Sequence, residues 1–168
     1  MHSWGERVIG AAKLDINTYE EVEADEGATM QAAGVVALAA IAQAVGASAA
    51  GLNPIVAAIG GLLGWALWSG VTYLIGAHLF KGTATWGELL RTLGFAQSPG
   101  FLYVLAFIPV LGWVLGIAIA IWILIAGIIA IRQALDITTG RAIGVAIIGW
   151  CLLMLPIFLF SLTSGLAG

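Results

Sequence analysis

Charge is what this sequence lacks. Only 9% of its 168 residues are Asp, Glu, Lys or Arg, while 61% are hydrophobic. A soluble domain carries about 25% charged residues. So few charges cannot coat a water-exposed surface, which excludes a soluble domain, a disordered tail and a nucleic-acid-binding protein. What remains is a polytopic membrane protein. Histidine (two) and cysteine (one) are scarce as well. They are too few for a His/Cys metal cluster, and Cys151 has no partner for a disulfide within the chain. Lying in an apolar run, it reads as a small packing residue. No Ser/His/Asp arrangement appears. Gly60 to Gly64 sit inside an apolar stretch, not in a phosphate-cradling loop. The expectation is a non-enzymatic chain with no cofactor and no metal.

The charges that exist are unevenly placed. Seven of the nine acids (Glu6, Asp15, Glu20, Glu21, Glu23, Asp25 and Glu26) fall within residues 1–26. No charged residue occurs between 27 and 80, between 92 and 131, or from 142 to 168. Those gaps read as membrane-embedded. The first apolar run follows an acidic stretch, which is the wrong flank for a secretory signal.

A spanning helix needs about 20 apolar residues. The runs predict an all-α protein with five hydrophobic helices at about 28–50, 55–79, 99–108, 112–134 and 140–163. The third is short and broken at Pro109. Residues 1–27 form a cytoplasmic segment, and 28–163 a single transmembrane domain. If 99–134 enters and returns, all six bases lie on one side, as positively charged loops prefer. This puts the N-terminus in the cytoplasm and the C-terminus outside a bacterial inner membrane.

Three capping boxes are expected. Thr85 and Glu88 open an amphipathic helix over 85–96, with Trp86, Leu89, Leu90 and Leu93 on one face and Glu88, Arg91 and Thr92 opposite. Such a helix would lie on the membrane surface. Ser3 and Glu6 repeat the pattern. Thr18 and Glu21 offer a third start. The carboxylates that follow suggest a partner-binding or ion-pair face: Glu20, Glu21, Glu23 and Asp25 with Arg91, Arg132 and Arg141. Glu23 or Asp25 is expected to pair with one of those arginines. A solvated helix is the blander reading.

Inside the spans, His78 stands one turn from Lys81 and reads as interfacial. Trp65, Trp68, Trp122 and Trp150 fall near span centres. An indole N–H at that depth wants a partner, with Ser69, Thr72, Gln43 or a free carbonyl as candidates. These four tryptophans are also the candidate wall of a lipid or isoprenoid pocket. Small-xxx-small pairs such as Gly60/Gly64 allow close helix contact and leave a homo-oligomer open.

Several short words are shared with a known family: Tyr19-x-x-Val22-Glu23-x-Asp25 before Gln31-Ala32, Lys81-Gly82-Thr83, Leu89-Leu90-Arg91, Gly94-Phe95-Ala96, Ser98-Pro99 and Ile108-Pro109. Trp122, Ile131-Arg132-Gln133-Ala134-Leu135 and Thr138-Thr139-Gly140-Arg141-Ala142 continue them. Together they resemble bacterial members of the Yip1 domain family over roughly residues 15–160. The resemblance implies a small multi-pass membrane protein. Eukaryotic members are linked to Rab GTPases, but this chain lacks their long polar N-terminal region and Asp-Leu-Tyr-Gly-Pro type motif, so GTPase binding is not expected. The leading expectation is a scaffold or membrane organiser in contact with membrane lipids and a cytoplasmic protein partner. A lipid-handling protein or small permease is the alternative, followed by an accessory subunit of a larger membrane complex.

Overall fold

A computed structural model describes residues 2–46, 53–108 and 111–166. Its regular elements are all helical, with α1 Trp4–Ala12, α2 Ile16–Ala24, α3 Ala28–Gly46, α4 Pro54–Leu79, α5 Trp86–Phe95, a 3-10 helix Ser98–Phe107, α6 Leu111–Ala134 and α7 Thr139–Leu166 among the described residues. Three stretches are long and apolar enough to cross a membrane: Ala28–Gly46, Pro54–Leu79 and Gly112–Ala134. In α7 the shorter segment Thr139–Leu155 is apolar. The chain is therefore multi-pass, with three long candidate spans and a shorter apolar helix among the described residues.

The helix starts follow local chemistry. Ser3 and Glu6 form a capping box at α1, and Thr85 and Glu88 form one at α5. Asn53 caps α4, its side chain accepting from Ile55 N–H, with Pro54 in the first turn. The third expected box is absent. Asp15 caps α2 by accepting from Asn17 N–H, and Thr18 lies inside the helix, donating from Oγ1 to Asp15 Oδ2. Asp15 wins because a carboxylate there both caps the helix and complements its positive end. The short third hydrophobic helix is a 3-10 helix, opened by Pro99. Ten residues is long for that form. The expected break at Pro109 lies outside the described residues.

α5 holds the bundle together. It contacts α1, α2, α3, α4 and α6. Gly94 lets it approach α3 closely, since a Cβ there would meet the Ala32 Cβ at 2.7 Å. This corrects the surface-lying reading of 85–96. The apolar face is as expected, but the opposite face is covered too, and Arg91, Thr92 and Phe95 are buried. What covers it is α2, which contacts both α5 and α6. The core accordingly gathers around α5, with Tyr19 and Val22 from α2, Val35 from α3, Leu89 and Phe95 from α5, Ile131 from α6 and Leu135 just after it.

Candidate functional site: the polar end of the bundle

Arg7 faces inward from α1 and is only 2% exposed. Its Nε and Nη2 donate to Glu21 Oε1 at 3.1 and 2.9 Å, and Nη1 donates to Gln31 Oε1 at 3.1 Å. Nη2 also lies 2.8 Å from Asp25 Oδ2. One guanidinium thus joins α1 to both ends of the α2–α3 junction. Its planar fork suits this, because several donors are fixed in one plane. His2 adds its main-chain N–H to Glu21 Oε1 at 3.0 Å, and its ring contacts Glu21 Oε2. These bonds from His2, with those from Arg7, hold the Glu21 carboxyl down at about 2. The Arg7 bond, with help from Gly27 N–H, holds Asp25 below its ordinary value.

Arg91 reaches α2 from the other side. Its Nε donates to Val22 O at 3.0 Å and Glu23 O at 2.9 Å, and Nη2 also donates to Glu23 O. These are the last carbonyls of α2, which have no helical partner. A cation there also complements the negative helix end. Neither Glu23 nor Asp25 forms an ion pair within 4 Å of Arg91, Arg132 or Arg141 among the described residues, and Asp25 pairs with Arg7. Arg132 is half-buried and Arg141 exposed. Glu20 accepts from Gln133 Nε2, which fastens α2 to α6.

Carboxylates from three segments converge beside Arg91. Burial first, then Glu20, Asp136 and Glu88, push the Glu23 carboxyl up to about 7, against the opposing pull of Arg91. Thr83 Oγ1 donates to Asp136 Oδ2 at 2.8 Å and Thr83 N–H to Leu135 O, so the loop after α4 joins the same end.

The raised Glu23 makes a pH prediction. Its ordinary value is 4.5, so the unfolded segment ionises before the docked one does. Docking of α2 is unhindered below about 4.5, weakens as pH rises towards 7, and stays weaker above. Glu21 and Asp25 act oppositely, but their contributions are lost only as pH falls below their ordinary values of 4.5 and 3.8. Between pH 5 and 8 the Glu23 slope therefore remains. Amide exchange in α2, corrected for intrinsic rates, should be slower at pH 5.5 than at pH 8. Glu23→Gln should flatten that difference. His2→Ala in both chains removes the imidazole from the comparison. An unchanged slope in Glu23→Gln would refute the assignment.

The four central tryptophans do not form one cluster. Trp65 Nε1 donates to Leu90 O of α5 at 3.0 Å, and Trp122 Nε1 to Ala12 O of α1 at 2.8 Å. Both therefore bond main-chain carbonyls. The hydroxyls of Ser69 and Thr72, the other expected partners, are buried on α4 without a hydrogen bond. Trp65 and Trp68 line one cavity, while Trp68 and Trp150 line another. Trp122 lines neither. Sequence reasoning missed Arg7; the only sequence signal was its i, i+4 spacing to Ala11, which the structure shows to be buried on the same face. Trp4 Nε1 donates to Gln31 O, and exposed His78 contacts Leu74 O of its own helix. Among the described residues no three His, Cys, Asp or Glu side chains come together as a metal site.

A family model described as the Yip1 domain matches residues 20–161. No curated protein and no solved structure matches the chain. The matched segment begins at Glu20 in α2 and runs into α7, so it includes Glu21, Glu23, Asp25 and Arg91 but not Arg7.

Proposed function

The chain belongs to the Yip1 domain family, and from that premise we propose that it works as a non-enzymatic scaffold or membrane organiser with a cytoplasmic partner-binding face. Members of the family are generally non-catalytic membrane proteins. The observation that carries the reading is the convergence of charge at one end of the bundle. Glu20, Glu23, Glu88, Arg91 and Asp136 come from three separate stretches of sequence, and the charges of the other four all act on Glu23. The inward-facing groups there hold the fold. Glu20, Glu26, Asp136 and Arg141 keep exposed surface and are available to a protein partner. Polar groups outside a membrane-spanning bundle are the natural recognition elements of such a chain, because complementary charge steers and selects partners.

The inner membrane of a bacterium, with this face in the cytoplasm, fits the distribution of bases. The test is co-purification after mild detergent extraction. Glu26→Gln with Arg141→Gln leaves Arg7, Glu21, Asp25 and Arg91 intact. It should lose a partner that the unmodified chain retains, with unchanged helix content. A partner bound equally by both chains, or no partner at any salt concentration, would reject the reading.

A further inference from the structure

Three cavities adjoin one another, and Trp68 lines all of them. The first, of about 390 Å³, lies between α3, α4, the 3-10 helix and α6. The second, of about 250 Å³, shares Trp68, Gln97, Ala120 and Ile123 with it. The third, of about 570 Å³, shares Trp68, Leu124, Ile128 and Ala146 with the second. They form a track from between α3 and α4 to between α6 and α7.

Polarity is confined to one end of the track. Gln43, Gln97 and Tyr103 line the first cavity. None of these three side chains makes a hydrogen bond among the described residues. Gln31 and Gln133, by contrast, bond Arg7 and Glu20. Gln43 is exposed and Gln97 and Tyr103 are half-buried, so their polar groups are open to a ligand entering the first cavity. The third cavity has no hydroxyl, amide or charged side chain in its wall, which is built from Trp68, Trp150, Leu124, Ile128 and Ile147 with their neighbours. No Lys, Arg, Asp or Glu lines any of the three. A phosphate or carboxylate headgroup would find no counter-charge there.

The geometry points to a binding site for a membrane-dissolved amphiphile. Its neutral, hydrogen-bonding head lies in the first cavity, and its apolar chain passes Trp68 to reach Trp150. Donors on Gln43, Gln97 and Tyr103 suit carbonyl acceptors on the head. The indoles of Trp65 and Trp68 offer flat apolar walls. The volumes of the first and third cavities fall in the range of small-molecule sites. Two sources share this chemistry, an isoprenoid-type quinone and a neutral diacylglycerol. The site is independent of the charged end of the bundle, so it holds whether or not the scaffold reading does.

The full chain, extracted in detergent, is titrated separately with decylubiquinone and with dioctanoylglycerol. Native mass spectrometry reads the adduct, and tryptophan quenching follows the quinone independently. One adduct per chain, saturating with at least one probe, is expected, and the probe that binds more tightly names the source. Gln43→Leu with Gln97→Leu should weaken it about tenfold, as lost hydrogen bonds imply. Size exclusion and circular dichroism check that this variant is folded. Non-saturating uptake of both probes by the unmodified chain would overturn the site. Equal affinity in the folded double variant would overturn the assignment of the head.

Discussion

Arg7→Met should release α1 and α2 from the bundle while the membrane-spanning helices stay assembled. The guanidinium is 2% exposed, and its loss removes the cation shared by Glu21, Asp25 and Gln31, leaving only His2 to donate to Glu21 and Gly27 N–H to Asp25. Removing one partner of a buried ion pair costs about 3–5 kcal/mol. The lower end applies here, because Glu21 and Asp25 keep 23% and 21% of their side-chain surface in water. About 3 kcal/mol raises the open population roughly a hundredfold. Hydrogen exchange in α1 and α2 should accelerate by that factor, with little change in α4 or α6. Arg7→Lys should fall between, since an ammonium keeps the charge but not the planar fork. Unchanged exchange in Arg7→Met would mean that apolar contacts alone hold the two helices.

Arg91→Met is the second large effect. Val22 O and Glu23 O would lose their donors in a buried setting. Hydrogen bonds from a charged donor contribute about 1.5–3 kcal/mol. About 2 kcal/mol corresponds to roughly thirtyfold faster exchange at the C-terminal end of α2. The substitution also removes the cation that opposes Glu20, Glu88 and Asp136 around Glu23. The Glu23 carboxyl should move further up, and its titration, followed by carbon-13 NMR, should shift to higher pH. A shift in the other direction would contradict the arrangement of charges.

Much of the helical framework was legible because its signals are local. Ser3 with Glu6 and Thr85 with Glu88 mark helix starts within four residues of chain. The uncharged runs mark the spans. Burial of polar faces was not legible in the same way. Arg91 looked solvated because it stands opposite Leu89 and Leu93, and nothing near it in sequence shows that α2 lies against it, 68 residues away. Asp25 was matched to the distant arginines by shared topology, but Arg7 reaches it first because α1 folds back beside α2. Thr18 looked like a cap until Asp15, three residues earlier, took the role. Trp65 and Trp122 stand near the middle of their apolar runs. Their partners are main-chain carbonyls on α1 and α5, which side-chain patterns cannot reveal.

The bond from Trp122 to Ala12 O has a consequence for the surrounding bilayer. Trp122 stands twelve residues before Ala134, which is about 18 Å along α6. Lys13 and Asp15, both exposed, follow Ala12 directly. On this flank, ionic groups stand level with the middle of α6. On the α4 flank they begin only at Lys81, beyond the helix end. The apolar belt is therefore shorter on one side than on the other. A bilayer of uniform thickness meets such a belt by tilting the protein or by thinning locally. Either response follows from the level at which α1 sits, and α1 is held there by the Trp122 bond together with the Arg7 ion pairs.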